Sequence, residues 1–359
     1  MLKEEDYALI WFDYNGYNFS KVEQILHKFV RIDSIFNKTI VKSTNLSSID
    51  KDLKTKLLDI DYEEFINKID REFFEYGITA VTYVDEEYPN KLRHIADPPL
   101  VLYTKGDITL LSKKSISIVG TRKPTDYGKI VCEKFTKELS EAGLVTISGL
   151  AYGIDTIVAT ATLNAGGKTI AVLAGGLDSI YPSQNKGLAD KLVSSGSLLV
   201  SEYRPKIAPV NYAFINRNRI VSALGAGTLI IEAGKSSGTM STARHALEQG
   251  RELFVVPGNI TSEQSMGTNM LIDEIPDTFT ISPARILMRL NVKRMKKTKT
   301  TIQVDLTESQ ILDALKTPLS FDELSDVTGI KASELSSRLI KMEVIGLVKK
   351  GNGNVYHKL

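Results

Sequence analysis

At 359 residues with 42% hydrophobic content, the chain is long enough to bury a large core and to hold two or three domains, and it reads as an ordinary soluble protein. Its single cysteine, Cys132, excludes a disulfide framework and a cysteine-based metal site. No apolar run reaches the roughly 18 residues of a membrane helix, and the start "MLKEEDYALIWFDYNG" lacks the basic-then-apolar order of a secretion signal. A cytoplasmic protein without membrane partners is the expectation. The net charge of +2 hides an asymmetry: residues 1–75 carry 11 basic against 15 acidic side chains, whereas residues 111–260 carry 17 against 11. A positive excess confined to the middle of the chain can steer polyanions, although the same excess also occurs on surfaces with no nucleic-acid role.

Residues 1–75 space Leu, Ile and Phe at helical intervals, as in "KVEQILHKFV" and "YEEFINKIDREFF", which predicts a small helical domain. From Ile78 to Leu111 short strands and prolines ("ITAVTYVDEEYP", "DPPLVLYTKG") predict a packed connector leading into a central domain over 76–290. There, apolar segments recur at "SISIVG", "LVTISG", "KTIAVLAGG", "SLLVSEY", "GTLIIEAG" and "ELFVVPG", with helical stretches between most of them. Nearly all-apolar strands alternating with helices point to a parallel sheet covered on both faces, hence an α/β, doubly wound, Rossmann-like fold.

Ligands of such sheets sit outside the carboxyl ends of the strands. Those ends here read "GTRKPTDYG", "SGLAYGID", "AGGLDSIYPSQNK" and "EAGKSSGTMSTARHAL". The first has the strand, glycine turn and helix start of a phosphate cradle. It lacks the GxGxxG of a dinucleotide site: Arg122 stands where the second glycine would be, and Pro124 follows. The last places Ser236, Ser237, Gly238 and Thr239 at a helix start, where hydroxyls and amides can hold an anion. Each loop alone could be only a helix cap; four on one edge are harder to dismiss, and several phosphate-friendly loops are expected there. "FINRNRIVSAL" adds Arg217, Asn218 and Arg219 beside Phe214, a grouping suited to stacking on a base while phosphates are clamped, or else a capped helix start with a buried ring.

Residues 291–302 predict a basic linker, with five basic residues in the seven positions Lys293–Lys299. Residues 303–359 follow the order helix, helix, helix, hairpin of a winged helix, with the hairpin turning at Gly351–Asn354. Its 7 basic and 8 acidic side chains suit a docking module as well as a DNA reader. No HExxH, CxxC, GxSxG or GxxxxGK[ST] occurs, and His245 near the sheet edge has no evident nucleophile beside it. No catalytic residue, metal or cofactor is expected.

The ordered set "VGTRKPTDYG", "SGLAYGID", "AGGLDSIYPSQN", "SEY", "FINRNRI", "EAGKSSGTMSTARHALEQGRELFVVPG" and "GTNMLI" resembles the DprA/Smf family of bacterial DNA-processing proteins over about residues 76–275. The resemblance implies an extended Rossmann core that binds single-stranded DNA, forms a homodimer and loads the RecA recombinase during natural transformation. It implies DNA contacts at Gly120, Thr121, Arg122, Gly149, Phe214, Arg217, Asn218, Arg219, Lys235, Ser237, Gly238 and Thr239. The chain departs from the family pattern at Ala159, where a histidine is usual, at Ile215, where a proline is usual, and at "DEIP". The alternative is a nucleotide-binding Rossmann protein resembling nucleotide phosphoribohydrolases, whose PGGxGTxxE loop would place its catalytic glutamate at Thr242.

Overall fold

The computed structural model describes residues 2–29, 31–46, 52–292, 304–345, 347–351 and 355–358. The chain forms two compact units, Met1–Met295 and Lys296–Leu359. The expected basic linker lies almost wholly outside the described residues, as does the tip of the expected hairpin.

The first unit is built on one eight-stranded sheet: β1 (Thr79–Thr82), β2 (Val101–Gly106), β3 (Ser115–Val119), β4 (Val145–Ser148), β5 (Thr169–Leu173), β6 (Leu198–Ser201), β7 (Gly227–Ile230) and β8 (Glu252–Val255). Their order is β1-β2-β6-β5-β4-β3-β7-β8. The six segments read as strands of a parallel sheet are all present and mutually parallel. The expected connector is more than a connector. Its two strands pair antiparallel with each other, and the second, β2, pairs antiparallel with β6, extending the sheet beyond its parallel part.

Among the described residues, the α-helices before the sheet are α1 (Glu4–Tyr14), α2 (Phe19–Leu26), α3 (Lys38–Ser43), α4 (Leu53–Asp59) and α5 (Tyr62–Tyr76). Asp61 caps α5 at its start, and Gly77 ends it in the left-handed conformation (φ 60°), a backbone state that costs a residue with a Cβ. These helices share one hydrophobic cluster with β2, β5 and β6, so the transition near residue 75 is a change of secondary structure and not a gap in packing. Tyr103 on β2 is the joint. It is fully buried, its ring meets Phe73 edge-on at 5.9 Å, and its hydroxyl donates to Asp13 at 2.6 Å. Thr82 donates to Asp6 across the same seam, and Tyr14 donates to Glu72 between α1 and α5.

After α6 (Asn90–Arg93) the remaining helices of this unit flank the parallel strands: α7 (Asp126–Glu141), α8 (Ile154–Asn164), α9 (Lys186–Ser194), α10 (Asn211–Leu224), α11 (Thr239–Glu248), α12 (Met266–Glu274) and α13 (Pro283–Arg289). The chain steps from β3 outward to β6, then α10 carries it back over the sheet to β7, on the other side of β3. Strand order therefore reverses between β3 and β7, and the loops leaving their carboxyl ends diverge. Ser115 and Ser117 of β3 donate to the carbonyls of Leu224 and Val221, fixing α10 across the sheet.

The second unit contains α14 (Leu306–Ala314), β9 (Leu319–Ser320), α15 (Phe321–Thr328), α16 (Ala332–Val344), β10 (Val348–Lys350) and β11 (Val355–Lys358), with sheet order β10-β11-β9. Reciprocal capping boxes start α14 and α15. A core of Ile311, Leu324, Leu335, Leu339, Met342 and Val348 gives the unit its own apolar centre, and its element order is that of a winged helix.

Candidate nucleic-acid interface

The diverging loops at the switch point enclose an open cleft of about 760 Å³. One wall is the turn after β3, and it is rigid. Thr121 N–H donates to the Glu232 carbonyl at 2.8 Å, its hydroxyl donates to Gln264 at 2.7 Å, and its carbonyl accepts from Ile154 N–H. The buried Glu232 carboxylate accepts from both the amide and the hydroxyl of Thr125, the residue that caps α7. Gly120 serves this packing: a Cβ there would lie 2.6 Å from Ile154 Cγ1.

Because the amides of Thr121, Lys123 and Thr125 are all committed inside the turn, it does not offer the ring of free N–H groups that its strand-glycine-helix pattern predicts. It offers side chains. Arg122 is exposed, its guanidinium carbon 5.1 Å from the centre of the Phe214 ring, within cation–π reach. Phe214 is half-buried at the cleft, not a core residue, and Tyr181 leans against it with centroids 5.6 Å apart. Lys123 follows on the same turn, exposed.

The opposite wall runs from Gly234 to Thr239 at the start of α11. Here too the amides of Ser237, Thr239, Met240 and Ser241 donate within the turn, so the expected hydroxyl-and-amide anion nest is largely self-satisfied. The helix dipole and the exposed Lys235 remain to attract an anion. Asn218, on α10, ties this wall down through Ser241 Oγ (2.9 Å) and the Gly238 carbonyl (3.3 Å). Gly238 itself has nothing within 4 Å of where a Cβ would sit, which leaves its backbone open to the cleft.

Arg217 forms the floor. Only 4% of it is exposed; it donates to the Val172 carbonyl and faces the buried Asp155. Burial lowers its pKa, with Asp155 opposing that effect, while burial raises the pKa of Asp155 and Arg217 pulls it back down. Gly149 exists to admit this guanidinium: a Cβ there would be 1.9 Å from Arg217 Nη1. Asp155 in turn accepts from the amides of Gly149 and Ala151. The clamp expected of Arg217 is thus a buried support, its charge spent on its own protein.

Arg219 is turned away from the cleft. Two residues on from Arg217 along a helix, it points roughly 200° around the axis, and it pairs there with Glu202 at 2.6 Å and Asp97 at 3.4 Å. Of the expected residues, Gly120, Thr121, Arg122, Gly149, Phe214, Arg217, Asn218, Lys235, Ser237, Gly238 and Thr239 line the cleft. Lys123, Tyr181 and Gln264 join them without having been singled out, although Lys123 and Tyr181 lie inside the loops "GTRKPTDYG" and "AGGLDSIYPSQNK". Thr242 lines the cleft but is 2% exposed, and the lining carboxylates are the engaged Asp155 and the exposed Glu263. Ala159 is core, whereas Ile215 sits exposed on the cleft margin.

Residues 79–291 match the family model for DNA recombination-mediator protein A, and residues 295–354 match that for the DprA winged helix domain. The chain is 42% identical over 234 residues to the DNA processing protein DprA of Bacillus subtilis, covering 64% of this chain and 78% of that protein. It is 39% identical over 206 residues to that of Streptococcus pneumoniae, covering 57% and 72%. The crystal structure of the S. pneumoniae protein superposes with a TM-score of 0.67 at 30% identity, covering 80% of this chain and 98% of the other. The DNA processing protein A of Helicobacter pylori, described for its single-stranded DNA binding mode, superposes with a TM-score of 0.53 at 31% identity, covering 60% and 95%. These matches span the sheet-bearing unit and the winged helix alike, and the chain belongs to the DprA/Smf family.

Proposed function

We propose that this chain is a single-stranded-DNA-binding recombination mediator that grips the strand in the cleft between β3 and β7, acts without catalysis, and works in the cytoplasm as a homodimer that delivers DNA to RecA. The observation that carries the strand-binding reading is the set of three exposed cations, Arg122, Lys123 and Lys235, around the tilted ring pair Phe214 and Tyr181. Among the described residues none of these cations has a carboxylate partner. Point charges that follow a backbone, beside aromatic faces that accept any base, favour a single strand and little sequence selectivity. The membership of the chain in a family of DNA-processing proteins supports the same substrate. Residues 76–290 are assigned the strand-binding work.

Fluorescence anisotropy with labelled oligothymidine and a matching duplex, over a salt series, tests the reading. A preference for the single strand and an affinity that falls as salt rises are expected, because clamped phosphates release counterions. Equal affinity for both, or indifference to salt, overturns it. Release of free base from nucleoside monophosphates would replace it with the nucleotide-hydrolase alternative.

A further inference from the structure

The helical front of the first unit sorts its charge by helix. Residues 15–59, which hold α2, α3 and α4, carry eight basic side chains against five acidic ones, whereas residues 1–14 and 60–75, which hold α1 and α5, carry three against ten. Folding keeps the two apart. On α2–α4, Lys21, Lys38, Lys42 and Lys56 are exposed and form no ion pair among the described residues; the exposed acids of that segment are Glu23, Asp52 and Asp59. Lys21 and Lys56 converge, their ammonium groups 5.8 and 5.6 Å from the centre of the buried Tyr17 ring. Lys54 donates to the carbonyls of Lys42 and Thr44 and so ties the start of α4 to the end of α3.

The counterpart lies on α5. Its inner side is held by Phe65 against Tyr14 and by Phe73 against Tyr103. Its outer side carries Glu63, Asn67, Asp70 and Phe74 at i, i+4, i+7 and i+11, a single stripe along the helix, and all four are exposed. Phe74 is 91% exposed, a phenyl ring with almost no protein around it. Asp70 is oriented by the Tyr7 hydroxyl, which donates to it at 2.6 Å. Lys68 and Arg71 flank the stripe, and Arg71 Nε donates to the Asn67 carbonyl. An aromatic ring left in water beside carboxylates suits the stem and the ammonium head of a lysine.

We infer that the helical front binds a second copy of this chain head to tail, with the α5 stripe of one copy on the Lys21–Lys56 surface of the next. Charge complementarity selects this occupant. The two faces match each other, whereas a nucleic acid on the lysines would leave Phe74 unexplained and would be repelled by the acidic side. A contact between two different surfaces is heterologous, so each added copy leaves one of each free and the assembly grows past two chains. The contact is independent of the cleft and of the homodimer proposed above.

Sedimentation velocity of the full chain tests this. At about 50 mM salt the mean mass should climb past that of two chains as protein concentration rises, and it should fall back at about 500 mM, where charges are screened within a few ångströms. Lys21→Glu with Lys56→Glu, and separately Glu63→Lys with Phe74→Ser, should each weaken this association at least tenfold. A mixture of the two double variants should associate with near-parental strength, because one brings an intact stripe and the other an intact lysine surface. Phe74→Ser alone, at a site with no packing to lose, should show a loss even if a charge variant folds poorly. Lys134→Glu with Lys137→Glu on α7 makes the same change in net charge elsewhere and should alter nothing. A parent that stays at one or two chains at every concentration overturns the inference, as do folded face variants that associate like the parent or an α7 variant that loses as much as they do. A lysine variant that loses oligothymidine binding with its self-association unchanged overturns it too and assigns the surface to nucleic acid. Failure of the homodimer reading appears instead in the face variants, which would then sediment as single chains.

Discussion

Charge reversal at Arg122 is the perturbation that bears most directly on the cleft. The side chain is exposed, stands on a turn whose backbone is held from both sides by Glu232 and Ile154, and touches the Phe214 ring. A unit charge about 4 Å from a phosphate is worth about 1 kcal/mol at the dielectric of bulk water, the appropriate limit for an exposed group. Arg122→Glu changes that charge by two units, about 2 kcal/mol. That predicts a loss of single-strand affinity of roughly 30-fold. Arg122→Lys keeps the charge but loses the planar fork and part of the stacking, for a smaller loss of roughly 2- to 10-fold. Neither change touches the core, so thermal melts and circular dichroism should match those of the parent. Anisotropy with labelled oligothymidine reads all three proteins. A folded Arg122→Glu protein that binds like the parent would show Arg122 to be a turn residue only, and the cleft would lose its central contact.

Gly120→Ala must push against Ile154 and the Glu232 carbonyl and should cost about 1–3 kcal/mol, lowering the melting temperature by several degrees. Gly238→Ala meets open space and should leave the melt unchanged; equal melts for both variants would contradict the packing described. Asp13, enclosed against Tyr103, has its pKa pushed up to about 6, chiefly by burial, with the Tyr103 hydroxyl and Arg204 opposing and Glu202 adding to the rise. The native carboxyl thus holds its proton more tightly than in the unfolded chain. Its contribution to stability is fully present below the unfolded value of 3.8, fades as pH rises toward 6, and is gone above it. Asp13→Asn should therefore be more stable than the parent at pH 7 by up to about 3 kcal/mol and indistinguishable at pH 3.5, as read by denaturant titration; a pH-independent difference would refute this. Removal of residues 296–359 should leave oligothymidine binding within a few-fold, since the cleft lies wholly in the first unit; a loss beyond about tenfold would move the main site into the tail.

Local pattern was enough to read the parallel strands, because each is buried on both faces and so nearly all apolar, and enough to read the loops at their carboxyl ends, because turns and caps demand Gly, Ser, Thr and Asp at fixed offsets. It also singled out Arg122, whose residue type is wrong for a nucleotide turn whatever surrounds it. Three features depended on groups far apart in the chain. The two strands before β3 joined the sheet because β6 had an edge to cover, and β6 lies about a hundred residues downstream. The turns that looked like amide cradles were closed by Glu232 and by their own hydroxyls, partners that a strand-turn-helix signature does not contain. Arg217 and Arg219, two positions apart in "FINRNR", met opposite surroundings because a helix turns 100° per residue. One was sealed under the cleft against Asp155 and the other drawn to Glu202 on the far side, so which arginine stayed available to a ligand was decided by the direction in which α10 crosses the sheet.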